Sequence, residues 1–346
     1  MRITVLTYVE EGEGSREYDA VVPQVAKALR AHGHDVSILG VHADVNRLIT
    51  GLRRRKPDLV FNLLEMFGDD LHADIDVAGL LELLGVPYTG CGPGEYYLSQ
   101  DKALGKRLLA YENLLYPRFA VFSDEEGLET GGNLRMPLFV KPLRSDASIG
   151  IGADSLVTDA MTLLKRVQKI RTELKDASLA EEYIDGREFY VGVIGNAQPR
   201  ALPPVEVDFT GYPEDKPRVL GSKAKWDERS AEFKGTKSVL ADIPDELRAR
   251  LQQVAVAAYR ALRVRDYGRV DLRMTEAGDI YVIEVNASCY LERSSEFAMA
   301  AEAGGLPYEA LIAEIVTLAQ ERQGMVPRRR LTGGTNHASR GSSPVP

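Results

Sequence analysis

YGRVDLRM (267–274) and IYVIEVN (280–286) decide how this chain is read. Both runs alternate apolar with polar residues, the pattern of strands buried on one side. Five residues, Thr275 to Asp279, separate them, which makes the pair a hairpin. A turn centred between Ala277 and Gly278, with a loop of two or four residues, sets Asp271 opposite Glu284 and Arg269 opposite Asn286. Those four side chains then share one face. Val270, Leu272, Met274, Tyr281, Ile283 and Val285 form the other, apolar face. A loop of three residues breaks this parity. Directly opposed carboxylates sit about 5 Å apart and repel. Either a divalent cation offsets the repulsion, with oxygen ligands that suit Mg2+ or Mn2+, or the strands face solvent and Arg269 alone neutralises the acids.

Upstream, ITVLTY (3–8), DVSIL (35–39) and LVFNLL (59–64) read as strands. A helical pattern through Val22, Val25, Ala26 and Leu29 and another over 74–84 alternate with them, which argues for a parallel α/β layer across the first 90 or so residues. VPYTGCGPGEYY (86–97) is a loop, and a helix follows from about Ser99 to Tyr111. The middle changes character: strand LFVKP (138–142), a Gly/Ser loop RSDASIGIG (144–152), a helix around 158–171, then strands SLAEEYI (178–184) and REFYVGVIG (187–195). A helix over 244–262 precedes the hairpin and another over 308–322 follows it. Beyond Gly324 the periodicity is lost and a disordered tail is expected.

With 346 residues there is room for two or three domains, and 44% apolar content supports a sizeable core. The net charge of −8 makes nucleic acid or an anionic membrane a poor partner. No apolar run approaches 18 residues, so no membrane span is expected. Two cysteines, Cys91 and Cys289, build no disulfide framework and fit a reducing, cytoplasmic setting. The five histidines show no metal-ligand spacing.

Lys141 ends an apolar strand and Lys102 opens a helix after a Gly-rich loop, so each is either a phosphate clamp or a solvated lysine. Ser145–Gly152, with Ser148 among its small residues, either covers a phosphate with backbone amides or is a surface turn. Glu181, Glu182, Tyr183, Ile184 and Glu188 make either an ordinary surface strand or the edge that reads a nucleotide, with main chain on adenine and a carboxylate on ribose.

Taken together, GCGPGEYYLSQDKALGKRLL (90–109), FVKPLRSDASIGIG (139–152), LAEEYIDGREFYVGVIG (179–195), YGRVDLRM and VIEVNASCYLERSSEFAMAAEAGGLPYEALI (282–312) occur in an order that resembles the ATP-grasp superfamily, and within it the D-alanine–D-alanine ligases. The resemblance implies an α/β ATP-grasp fold: an N-terminal parallel α/β domain (1–113), a central ATP-grasp subdomain (114–198), a C-terminal one carrying the metal site (199–322), and the tail (323–346). It implies an ATP-dependent carboxylate–amine ligase working through an acyl phosphate on a small acid and a small amine, and a homodimer. Lys102 and Lys141 would contact ATP phosphates, Glu181 the adenine amino group, Glu182, Tyr183 and Ile184 the hinge, and Glu188 the ribose. Asp271, Glu284 and Asn286 would hold Mg2+ or Mn2+. Arg269 would stabilise developing negative charge, with Ser148 and the backbone of Tyr290 beside the reacting centre. Lys225 and Ser295 match positions that hold the second substrate's carboxylate, and Glu17 would pair with a substrate ammonium.

Three places depart from that family's pattern, all on the substrate side. Tyr290 stands where a glycine is usual and fills space for a small acceptor. Glu65-Met66-Phe67-Gly68 replaces a His-Gly pair. Ser15-Arg16-Glu17-Tyr18 replaces Glu-Val-Ser. A specialised ligase with larger substrates is therefore one alternative, and a non-catalytic nucleotide-binding protein another; the intact Arg269, Asp271, Glu284 and Asn286 set speaks against the latter.

Overall fold

The structure is a computed structural model describing residues 1–10, 18–68, 70, 73–123, 127–130 (backbone), 133–145, 148–213, 218–221, 225, 227 and 229–325. Glu17 and the tail from 326 lie outside the described residues.

The first layer is a parallel sheet in the order β2-β1-β3, from β1 (Arg2–Tyr8), β2 (Asp35–Val41) and β3 (Leu59–Leu63). Helices α1 (Val21–Ala31), α2 (Val45–Arg55) and α3 (Ala73–Leu83) connect and flank it. The expected parallel α/β alternation is present, with one helix more than the sequence pattern gave. In α2, VNRLITGLRRR, only Leu48, Gly51 and Leu52 are buried, too narrow a stripe to stand out among its arginines. Asp44 caps it by accepting from Arg47 N.

The helix expected over 99–111 is α5 (Lys102–Tyr111), and a further helix, α4 (Pro93–Gln100), begins inside the stretch 86–97 expected to be a loop. Asp101 between them has extended backbone, and its carboxylate caps α5 by accepting from Leu104 N at 2.9 Å. That break fixes Lys102 and Lys106, one turn apart, on the same buried side of α5.

A five-stranded antiparallel sheet follows, in the order β5-β4-β8-β6-β7, from β4 (Phe119–Ser123), β5 (Gly127–Thr130), β6 (Leu138–Pro142), β7 (Leu156–Val157) and β8 (Ser178–Glu182), with α6 (Ala160–Leu174) over it. The last sheet runs β12-β11-β9-β13-β14, with β10 on β9, from β9 (Arg187–Ile194), β10 (Arg200–Ala201), β11 (Val205–Asp208), β12 (Lys237–Leu240), β13 (Tyr267–Met274) and β14 (Ile280–Asn286). Among the described residues the further helices are α7 (Ala231–Lys234), α8 (Asp245–Ala261), α9 (Glu296–Ala303) and α10 (Tyr308–Arg322). The division expected at residue 198 would separate β9 from the sheet it joins. The chain passes between the sheets at 183–186 instead, where Gly186 has φ +143° and a Cβ would meet Met274 O at 2.0 Å.

One apolar core joins the first layer to the last: Ile3, Val25 and Phe61 pack in the same cluster as Tyr190, Ile194, Leu311 and Ile312. Burying each aliphatic side chain of α10, such as Ile315 and Val316, stabilises this junction by roughly 1.5–3 kcal/mol. Asp266, fully buried, ties the same junction with polar bonds. It accepts from Gly90 N at 2.8 Å, Asn196 Nδ2 at 3.0 Å and Arg322 Nη2 at 3.0 Å.

Candidate active site

The hairpin sets Arg269 opposite Asn286 and Asp271 opposite Glu284, as the alternation predicts. It arrives there differently. Below Asp271 the register slips, so that Leu272 pairs with Val282 and Met274 with Ile280. The loop is therefore odd, Thr275 to Asp279, closed by Thr275 N donating to Asp279 O. A one-residue bulge at Ile283 restores the pairing that the site needs. This corrects the expected core face: Ile280 and Val282 are buried, whereas Ile283 turns to line the cleft on the site side.

Each carboxylate has its own cation. Asp271 receives Arg269 Nε at 2.7 Å and Nη2 at 3.0 Å. Glu284 pairs with Lys102 Nζ at 3.1 Å. Burial pushes the Asp271 carboxyl above the usual carboxylate range, and Glu284 across the hairpin adds to this. Burial acts upward on Glu284 too, but Lys102 and Lys141 outweigh it and hold that carboxyl down to about 2. The amide nitrogen of Asn286 lies 3.5 Å from Arg269 O, an orientation that leaves its oxygen for another partner. Two acids and an amide oxygen are a hard donor set that fits Mg2+ or Mn2+. Among the described residues no group of three or more His, Cys, Asp or Glu forms a metal cluster; the third donor here is an amide.

A cleft opens between β6 and β8 of one sheet and β9, β13 and β14 of the other. Phe139, Ile151, Val219, Leu220 and Ile283 give it apolar walls, and Lys141, Lys225, Asp271 and Glu284 a charged end. A flat base with a polyphosphate matches that division. Glu182, Tyr183, Ile184 and Glu188 line it. Glu181 lines it as well, but its buried carboxylate is clamped between Lys106 Nζ at 2.8 Å and Lys141 Nζ at 3.2 Å. Burial alone would raise this carboxyl; the two lysines hold it below its ordinary range. Both oxygens of Glu188 are engaged, one accepting from Tyr190 OH and the other from Arg273 Nε and Nη2.

The Gly/Ser loop and the 218–221 segment meet over the cleft. Ser148, with φ +59°, donates from Oγ to Leu220 O at 3.2 Å. Arg166, buried under the Gly loop, donates to Gly150 O, Ser155 Oγ and Val140 O and pins its base.

On the other side of Asp271, Arg269 lies over the ring of Tyr190, 4.4 Å from its centroid. Tyr290 turns its side chain toward the first layer, where its hydroxyl donates to Asp19 Oδ1 at 2.6 Å. Ser295 serves as the cap of α9, accepting from Ala298 N at 3.3 Å. Lys225 stands in the cleft near Asp271 and Glu284.

Two participants escape the sequence reading. Lys106 also donates to Ile283 O at 2.9 Å, fixing the bulge; its signal was its place four residues after Lys102. Arg273 donates to Glu188, Ile184 O and Arg218 O, joining β9, the hinge and the 218–221 segment. Its signal was the alternation that puts it on the face of Arg269 and Asp271.

A nucleotide-shaped cleft between two antiparallel sheets, with opposed acids on the floor and lysines at its phosphate end, defines an ATP-grasp enzyme, an ATP-dependent ligase that forms C–N bonds. Within that class the chain belongs to the D-alanine–D-alanine ligase family: the model of the D-ala D-ala ligase C-terminus matches residues 102–317. The D-alanine–D-alanine ligase of Aquifex aeolicus is 31% identical over 85% of this chain and 92% of its own. The uncharacterized protein y4sG of Sinorhizobium fredii is 33% identical over 87% of this chain and 88% of its own. Among solved structures, the Bacillus anthracis D-alanine–D-alanine ligase complexed with ATP superposes with a TM-score of 0.72 at 24% identity, covering 94% of this chain and 99% of that one. That likeness concerns the fold.

Proposed function

We propose that this ligase activates the carboxylate of a small amino acid with ATP and joins it to an amine, using Asp271, Glu284 and Asn286 to hold Mg2+ or Mn2+. The observation that carries the reading is the facing pair Asp271 and Glu284, set at the charged end of the cleft with Lys102, Lys141 and Lys225 around it. The cation, when bound, neutralises charge on the ATP phosphates.

The chain's own groups do the rest. Lys141 and Lys102 draw the phosphate tail toward the floor, each already positioned by a carboxylate. The apolar walls and the hinge at Glu182–Ile184 seat the base, and Glu188, oriented by Arg273 and Tyr190, faces the ribose. The substrate carboxylate oxygen attacks the γ-phosphorus in line, the bond to the bridging oxygen breaks, and ADP leaves behind an acyl phosphate. The amine nitrogen then attacks the acyl carbon. Arg269, fixed by Asp271, faces the oxyanion that forms. Phosphate departs and an amide remains. The meeting of Ser148 with Leu220 closes one side against water, which would hydrolyse the acyl phosphate.

A second reading concerns the substrate pair. The relatives named D-alanine–D-alanine ligase make D-alanine the first acid to try, but Tyr290 reaching Asp19 and Glu65 at the end of β3 differ from the pattern of that family. Both favour substrates other than two D-alanines. ADP formation with Mg2+ and a panel of D- and L-amino acids tests the proposal. Acid- and amine-dependent ADP release supports it, and its absence with every pair refutes ligation.

A further inference from the structure

Asp271 holds the Arg269 guanidinium with both oxygens: Oδ1 accepts from Nε at 2.7 Å and Oδ2 from Nη2 at 3.0 Å. The same carboxylate is one of the acids that would hold Mg2+ or Mn2+. A divalent cation there repels the guanidinium and competes with it for one negative charge. Glu284 faces the same conflict over Lys102, but that lysine has the ATP phosphates to turn to. Arg269 faces the acyl oxygen, which carries full charge only as the oxyanion forms. A second anion stands at its third nitrogen. Glu296, the first residue of α9, sets Oε2 3.6 Å from Arg269 Nη1. Its other oxygen, Oε1, accepts from Ser238 Oγ of β12 at 3.0 Å, which fixes the carboxylate beside the guanidinium. Tyr190 covers one face of the same group. We infer that Glu296 is a positioning residue that takes up the Arg269 guanidinium when a divalent cation draws on Asp271, so that the metal site can fill while the oxyanion arginine stays in place.

The inference rests on the reading of Asp271, Glu284 and Asn286 as the cation's ligands. Two charge-assisted bonds tie Arg269 to Asp271, whereas Glu296 at 3.6 Å lies just beyond hydrogen-bond length. A small shift of the guanidinium exchanges one partner for the other. A contact that is stronger in one of two states shifts the equilibrium toward that state. Glu296 gains its bond only when Asp271 serves the cation, so it strengthens cation binding through Arg269. An acid in the first turn of a helix is favoured by the helix dipole alone; that role affects stability and leaves cation affinity untouched.

The test titrates Mn2+ into protein saturated with ADP and follows bound metal by water proton relaxation, in wild type, Glu296→Gln, Arg269→Met and the double variant. Glu296→Gln is expected to weaken Mn2+ binding by about fivefold to tenfold with its thermal midpoint retained, and to change it by less than about twofold once Arg269 is Met. Unchanged affinity in Glu296→Gln overturns the inference. So does a loss of equal size in both backgrounds, because Glu296 then acts on the cation without Arg269. If Arg269→Met does not fold, Arg269→Gln takes its place under the same criteria. Glu284→Gln in the same titration keeps the two readings apart. Loss of Mn2+ there places the cation at the hairpin, so a failed cycle counts against Glu296 alone. Wild-type Mn2+ affinity in Glu284→Gln, or no binding to the wild-type protein, overturns the inference together with the metal assignment.

Discussion

Asp271 and Glu284 face each other across the β13–β14 hairpin, yet each carboxylate leans on a different cation, Arg269 from its own strand and Lys102 from α5. The pair is therefore held ready by groups from two parts of the fold.

Glu284→Gln keeps the shape of the side chain and removes its charge. Ligation is expected to fall by roughly 10²–10³-fold or more while the fold is retained. ADP formation and circular dichroism measured on the same preparation check this. Wild-type turnover in the variant would refute the metal assignment.

Lys106 makes no expected contact with substrate, but it holds Glu181 and the carbonyl of Ile283. Lys106→Met leaves Glu181 to Lys141 alone and is expected to destabilise the protein by about 1–3 kcal/mol. Because Glu181 then draws Lys141 away from the phosphates, KM for ATP rises as well. Urea unfolding and ATP titration read the two effects, and an unchanged KM removes the link to Lys141.

The same cluster predicts a pH dependence. Glu181 has its carboxyl held below the ordinary range in the folded protein. Its contribution to stability is present above the unfolded value of about 4.3 and is lost as pH falls through the folded value. In Glu181→Gln the acid loss of stability should be shallower. Unfolding free energies at a series of pH values from neutral to acid decide it; identical slopes in both proteins contradict the assignment.

Arg273 touches β9, the hinge and the 218–221 segment at once. Arg273→Met frees Glu188 and loosens the base-binding end of the cleft. Nucleotide affinity is expected to drop by about tenfold, the loss of one charge-assisted pair, with a smaller change in kcat. Binding of an ATP analogue followed by calorimetry tests this.

Asp266 is buried with three partners from three separate segments of the chain. Asp266→Ala leaves Arg322 without its carboxylate and should cost about 3–5 kcal/mol. A change below about 1 kcal/mol in urea unfolding would show that the apolar core alone carries the junction.

The sequence by itself determined the elements whose pattern repeats over short distances. The strand–helix alternation of the first layer, the helices ending the chain, and the four residues Arg269, Asp271, Glu284 and Asn286 on one face follow from side-chain period, which is a local property of the backbone. The order of five motifs carried the family. Only the tertiary structure decided that an odd loop and a bulge at Ile283 cancel, that Glu181 sits between Lys106 and Lys141, that β9 belongs to the last sheet, and that Glu296 stands against Arg269. Each of those depends on contacts between segments far apart in the chain, where electrostatic pairing and packing choose among partners that no local period distinguishes.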